Sequence, residues 1–293
     1  MNALDMVALS RLMEITVGRP EVIVGLIDGP VFMKDKNVWS ENVVQGKSGN
    51  ALCSSCALPE SAACGHGTFV ASLLSARRGT AAPAICPGCT LLVNPIFPES
   101  ISGVESMPTA SPEQLATAIV ETVNAGAHLL NLSVGLWPPS SRDQRMLQLA
   151  LDHAAQRGAI AVVASGNQKS IGSSTMTRHP CAIPVVGCDE KGMPTAESNL
   201  GHSIGRLGLR APGTAITGFG SDGNPRSLEG TSIATPFVTG AVALLWSEFP
   251  NASSTDIRYA VQRSSRIGRI AVVPPLLNAW AAYESLSATA RSA

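Results

Sequence analysis

Glu21-Val22-Ile23-Val24-Gly25-Leu26-Ile27 runs directly into Asp28-Gly29-Pro30. A short, β-branched, apolar run that ends in Asp-Gly-Pro predicts a buried strand followed by a turn. Residues 90–93, 128–132, 159–164 and 183–187 are further runs of this kind. Helical patterns fall between them. Ser111-Pro112-Glu113 offers an N-cap, a proline at the first helical position and an acidic first turn, and Leu115, Ile119, Thr122, Val123 and Gly126 continue at helical spacing. Residues 140–157 repeat the design, with Met146, Leu147, Ala150, Leu151 and Ala154 on one face and Gly158 closing it. Residues 231–248 read as a third helix, small and apolar at its start. Apolar strands alternating with helices predict an α/β fold in three layers, a mostly parallel central sheet with helices on both faces. With no repeat, low-complexity tract or linker, the chain reads as a single domain over residues 1–293. Its core spans about 21–264, with a short N-terminal helix or arm over 1–20 and a helical tail over 265–293.

Composition excludes several classes of function. Hydrophobic residues make up 45% of the 293 and charged residues 14%, against roughly 25% charged in typical soluble domains. Lys+Arg and Asp+Glu are 21 each, so the chain lacks the electrostatic footprint of a protein that binds nucleic acid or an anionic membrane surface. It is also too apolar for intrinsic disorder, with a mean hydropathy of +0.19. Its apolar runs fall short of the ~18 residues that span a bilayer. The N-terminus has no basic segment followed by an apolar stretch and a cleavage site, which predicts a cytoplasmic protein. Residues 29–65 differ from the rest: polar, without clear period, they predict a long irregular excursion of the functional kind.

Three blocks carry the chemistry: Leu26-Ile27-Asp28-Gly29, Gly65-His66-Gly67-Thr68 and Gly230-Thr231-Ser232-Ile233-Ala234-Thr235-Pro236. Asp28 ends a buried strand, where open parallel sheets place their sites. His66 lies between two glycines at the start of an apolar helix, so that other backbone can approach it closely. Ser232 lies at a helix N-terminus, where the potential is positive and its own N–H is free to donate. Serine needs a base to take its proton, and the imidazole needs a carboxylate to fix its tautomer. Taken singly, an Asp after a strand is a turn residue, a His is structural and a Ser before a helix is an N-cap. Their joint occurrence in the order Asp, His, Ser outweighs those readings.

Through GHGTFVAS (65–72) and GTSIATPFVTGAVALL (230–245) the chain resembles the subtilisin-like serine proteases, from about Glu21 to Ser264. Asn131-Leu132-Ser133-Val134-Gly135 resembles the family's substrate-cleft strand, and Ala164-Ser165-Gly166-Asn167 the block with the oxyanion asparagine. The resemblance implies a subtilisin-like fold and a triad of Asp28, His66 and Ser232. It also implies that Asn167 and the Ser232 N–H stabilise the oxyanion, while Ser133, Val134, Gly135, Ser165 and Gly166 pair with an extended peptide. Asp28-Gly-Pro-Val, Asn124-Ala-Gly-Ala-His128 and Pro95-Ile-Phe97 are similar to the cyanobactin-maturing subtilisins, which trim or cyclise ribosomally made precursors. Only about 20 residues precede the first strand, so the expectation is that no large inhibitory prosegment is present.

That resemblance implies a serine endopeptidase acting on a specific peptide. The alternatives are a macrocyclase, in which the substrate's own amine captures the acyl-enzyme, and a catalytically silent peptide-binding module. Cyclising relatives carry a helical cap near the His, and residues 29–65 show no helical period, which favours hydrolysis. No cofactor is expected for catalysis. Gly46-Lys47-Ser48 is not a phosphate loop, since Glu41 stands where a glycine is required. No calcium-loop signature appears, and His128, His153 and His179 lack metal-ligand spacing and read as packing or surface residues. Among seven cysteines, Cys53-Ser-Ser-Cys56 and Cys86-Pro-Gly-Cys89 are two C-x2-C pairs. They allow a structural zinc, disulfides across or within the pairs, or free thiols, and a reducing compartment favours zinc. Cys64 is expected to expose the enzyme to thiol reagents.

Overall fold

In the computed structural model, described over residues 2–35, 38–46, 56–58, 60–99, 110–134, 141–265 and 272–292, the run after Glu21 becomes β1 (Ile23–Asp28) inside a seven-stranded sheet. Its companions are β2 (Val43–Gln45), β3 (Thr90–Pro95), β4 (Leu129–Leu132), β5 (Ile160–Ala164), β6 (Ala182–Cys188) and β7 (Leu209–Pro212). Across the sheet the order is β2-β3-β1-β4-β5-β6-β7, and every pairing is parallel. A separate antiparallel hairpin joins β8 (Ile216–Phe219) to β9 (Pro225–Leu228). Two short helices, α1 (Ala3–Met6) and α2 (Leu9–Ile15), precede β1. Then come α3 (Ala62–Ser75), α4 (Pro112–Asn124), α5 (Ser141–Gln156), α6 (Thr175–Arg178), α7 (His202–Leu207), α8 (Thr231–Glu248), α9 (Ser254–Gln262) and α10 (Ala279–Ser292).

Side chains alternate across each strand, so the two faces of the sheet carry two separate cores. Val24, Leu26, Leu129, Ile160, Val162, Ile183 and Val185 pack with Phe69, Leu73 and Leu74 of α3 and Phe237, Val238 and Leu245 of α8. Ile27, Leu130, Leu132, Ala161 and Val163 pack on the opposite face with Ile119 and Val123 of α4 and Leu147 and Leu151 of α5. Burying one such side chain fully stabilises the fold by roughly 1.5–3 kcal/mol. This is the expected three-layer arrangement. The ends of the chain belong to the first core: Val7, Leu9 and Leu12 are buried with Leu277, Ala279 and Ala282, and the Ala279 N–H donates to the Val7 carbonyl at 2.9 Å.

Local chemistry sets the helix starts. Ser111 Oγ accepts from the Gln114 N–H at 3.1 Å while Gln114 Oε1 accepts from the Ser111 N–H at 2.8 Å, a reciprocal cap with Pro112 behind it. The α3 helix starts at Ala62, with Ser61 Oγ accepting from the Cys64 N–H at 3.3 Å, so His66 falls in its second turn and not at its first residue. The expected start of the α5 helix at Ser140 lies outside the described residues.

Candidate active site

The C-terminal ends of three adjacent strands converge. Asp28 is the last residue of β1, Ser133 follows β4, and Ser165 to Asn167 follow β5. Parallel strands present their sites at this edge. His66 and Ser232 arrive from above it on α3 and α8.

A continuous hydrogen-bonded line joins the three central side chains. His66 Nδ1 donates to Asp28 Oδ1 at 2.7 Å, and His66 Nε2 lies 3.1 Å from Ser232 Oγ, placed to accept its proton. Asp28 is fully buried and the His66 side chain is 13% exposed, so the carboxylate is withdrawn from water while the imidazole still faces the cleft. Asp28 Oδ1 accepts in addition from the Gly29 N–H at 2.6 Å, which fixes the carboxylate's orientation. Burial pulls the His66 pKa down, but the attraction and hydrogen bond of Asp28 more than offset it, leaving the imidazole above its ordinary value. A base strengthened in this way accepts the serine proton more readily.

Of the two glycines beside His66, Gly67 is the one that close packing requires. A Cβ on Gly67 would stand 2.3 Å from the Gly29 carbonyl oxygen and 2.7 Å from that of Pro30, whereas a Cβ on Gly65 would meet nothing nearer than Ser221 Oγ at 4.0 Å. The close approach lets the turn after Asp28 lie directly on α3. Thr68 Oγ1 reinforces it by accepting from the Phe32 N–H at 2.9 Å.

Asn167, expected from the sequence to face the oxyanion, is held by its oxygen. Asn167 Oδ1 accepts from the Thr231 N–H at 3.0 Å and from Thr231 Oγ1 at 2.9 Å, which turns Nδ2 toward the mouth of α8. Gly230 (φ 129°) makes room there, since a Cβ on it would lie 3.0 Å from Asn167 Nδ2. Asn199 braces the same loop: its Oδ1 accepts from Gln168 N at 2.9 Å and Ser170 N at 3.1 Å, and its Nδ2 donates to the Ser165 carbonyl at 3.1 Å.

A second chain of bonds leads to the backbone of Ser232. Thr239 Oγ1 donates to Asn131 Oδ1 at 2.8 Å, Asn131 Nδ2 donates to Ser133 Oγ at 2.9 Å, and Ser133 Oγ donates to the Ser232 carbonyl at 2.9 Å. Asn131 and Thr239 are fully buried and Ser133 nearly so. Sequence reasoning assigned Ser133 to the cleft and gave Asn131, Thr239, Thr231 and Asn199 no role. The signal for Asn131 was present, because an asparagine inside a buried apolar strand must find partners. Ser133, Val134, Ser165 and Gly166 stand at the edge of the site, and Gly135 lies outside the described residues.

The cysteines depart from the expected four-thiolate zinc site. Cys56 is bonded to Cys64 across the start of α3, while Cys86 and Cys89 are buried free thiols beside β3, and Cys53 lies outside the described residues. Cys56, Cys86 and Cys89 do not form a ligand cluster among the described residues. Spacing along the chain suggests pairs that Cys56, bonded to Cys64 in α3, does not make. For the same reason Cys64 is not a free thiol beside His66.

Elsewhere His179 and Cys181 form a second polar line with Asp152. His179 Nε2 donates to Asp152 Oδ1 at 3.0 Å and Nδ1 lies 3.0 Å from Cys181 Sγ. The imidazole and the thiol are both buried, and burial pushes the Cys181 thiol up to about 12. His153 Nε2 pairs with Asn124 Oδ1 at 2.9 Å, and His128 meets Trp246 edge-on at 5.6 Å.

Comparison with known proteins identifies the family of the chain. The sequence pattern of the subtilase family matches residues 42–282. The chain is 31% identical over 195 residues to Subtilisin Savinase of Lederbergia lenta, a match covering 66% of this chain and 67% of that protein. To the thermostable alkaline protease of Halalkalibacterium halodurans it is 28% identical over 202 residues, covering 69% of this chain and 52% of the relative, so the chain spans about half that relative's length. The solved structure of the prenylagaramide maturation protease PagA superposes with a TM-score of 0.80 at 26% identity, covering 95% of this chain and 98% of that one.

Proposed function

We propose that this chain, which belongs to the subtilase family, is a serine endopeptidase that cleaves a defined, ribosomally made precursor peptide through an acyl-enzyme. The observation that carries the reading is the unbroken line from Asp28 Oδ1 through His66 to Ser232 Oγ. As Ser232 Oγ attacks the peptide carbonyl, His66 Nε2 takes its proton and Asp28 stabilises the imidazolium that forms. Asn167 Nδ2 and the Ser232 N–H receive the negative charge that develops on the carbonyl oxygen. His66 then returns the proton to the departing amine, and a water deprotonated by the same imidazole releases the acyl group.

The precursor-peptide part rests on the likeness to a maturation protease over nearly the whole chain. A peptide lying along Ser133–Val134 and Ser165–Gly166 would be held by backbone pairing, as an added strand is. Hydrolysis is favoured over cyclisation because the described residues between Gly29 and Ser61 contain the strand β2 and no helix. The proposal places the reaction in the cytoplasm, where ribosomal precursors are made. No helix among the described residues is long and apolar enough to cross a membrane.

Two measurements test this. A fluorophosphonate probe labels Ser232 if the triad is active, and absence of labelling returns the chain to the silent binding module. Mass spectrometry of a digested precursor then separates the outcomes: a linear fragment supports hydrolysis, and a product lighter by one water supports the macrocyclase.

A further inference from the structure

The disulfide beside the triad stands in unusual company. Cys64 lies in the first turn of α3, two residues before His66, and Cys56 lies on the described stretch of the excursion. Glu99, four residues beyond β3, reaches the same place. Its Oε2 accepts from the Ala57 N–H at 2.8 Å and its Oε1 from the Leu58 N–H at 3.0 Å. These bonds fix the carboxylate against the residue next to Cys56. The two sulfurs and a Glu99 oxygen all lie within 4.8 Å of one another.

We propose that, once the disulfide is reduced, Cys56, Cys64 and Glu99 bind a zinc-like divalent cation. Zinc stands about 2.3 Å from thiolate sulfur and about 2.0–2.2 Å from carboxylate oxygen, so tetrahedral ligand atoms are roughly 3.5–3.8 Å apart. That separation falls within the space the three atoms already share. The sulfurs must part from bonding distance, and Cys56, half-buried on its loop, supplies the rotation while Cys64 stays fixed in the helix with its Sγ 3.7 Å from Thr68 Oγ1. Two soft thiolates select zinc or cadmium over magnesium or calcium. Oxidised, the pair has no thiolate to offer, so cross-link and metal exclude each other.

The chemistry balances in two steps. A phosphine reductant passes two electrons to the S–S bond, and one water supplies both thiol protons and the oxygen of the phosphine oxide. A cellular dithiol achieves the same by exchange and becomes a disulfide itself. Zinc then displaces the two thiol protons to solvent as the Zn–S bonds form.

The test is equilibrium dialysis of the intact chain against Zn²⁺ alone, in the oxidised form and after phosphine reduction and removal of the reductant. The reduced chain should hold one zinc that the oxidised chain does not. Cys56→Ser and Glu99→Gln should each weaken binding by at least ~10-fold, a loss that even indirect support of a ligand can cause. Cys56→Ser alters a loop position and leaves α3 intact, which makes it the decisive variant. Equal zinc in both redox states, no zinc in the reduced chain, or undiminished binding by Cys56→Ser overturns the proposal.

Discussion

Ser133 Oγ donates to the backbone carbonyl of Ser232 at 2.9 Å, so the residue that follows β4 holds the main chain of the proposed nucleophile. The same hydroxyl accepts from Asn131 Nδ2, which ties it to Thr239 two turns further along α8. Ser133→Ala leaves one buried donor and one acceptor without this partner, a cost of about 1–3 kcal/mol. The expected outcome is a lower urea midpoint and a fall in kcat with KM nearly unchanged. A rise in KM alone would return Ser133 to a purely substrate-facing role.

Loss of a triad member should be severe and non-additive. Ser232→Ala and His66→Ala are each expected to lower kcat by about 10⁶-fold, as in subtilisins, with the double variant no worse than either single one. Asp28→Asn should cost less, about 10⁴-fold. Steady-state kinetics on a fluorogenic peptide measures all three, and a tenth of the activity surviving in Ser232→Ala would remove Ser232 as nucleophile.

At Asn167 the two ends of the amide do different work. Asn167→Ala removes the Nδ2 donor and should lower kcat by ~10²–10³-fold, the cost known for such donors in subtilisins. Thr231→Val keeps that donor but removes the hydroxyl that grips Oδ1, so it should cost far less than Asn167→Ala. Equal losses from both would mean that Asn167 acts only by bracing α8.

Closing a loop eight residues along the chain, the Cys56–Cys64 bond stabilises by about 2.5 kcal/mol on the chain-entropy account. A Cys56→Ser/Cys64→Ser double variant in metal-free buffer should lose about that much in urea unfolding. No loss would show that the Glu99 bonds to Ala57 and Leu58 hold the loop unaided.

Selectivity follows from the proposed substrate. Backbone pairing holds any extended peptide, so discrimination must come from side-chain pockets and the excursion. The kcat/KM on the cognate precursor should exceed that on unfolded casein by at least ~10²-fold, about 2.7 kcal/mol of differential transition-state binding. Rapid, unselective casein digestion would contradict this.

Features carried by local pattern were legible before the structure. Residues 231–248 read as a helix and fold as α8 with those ends, and the apolar runs became β1, β3, β4, β5 and β6. The edge strands were not legible. Val43–Gln45 is three residues long with two of them exposed, and Leu209–Pro212 carries Arg210 and a proline, so neither shows the buried period. Asp28, His66 and Ser232, which the structure joins by hydrogen bonds, could be picked out beforehand because each sits in its own short block. The Thr239–Asn131–Ser133 chain and the Cys56–Cys64 bond join elements that only tertiary folding brings together.

The Asp152–His179–Cys181 line amounts to an internal control. It repeats the acid, imidazole and nucleophile order at the opposite edge of the sheet, just before β6. Yet His179 is 3% exposed and Cys181 5%, and burial pushes the thiol up to about 12. One chain therefore carries an acid–imidazole–nucleophile row twice, the second with the two ring nitrogens exchanged and with its imidazole and thiol buried while the Asp152 side chain stays 45% exposed. Reactivity here is a property of access, and a thiol reagent applied to the folded protein should pass Cys181 by.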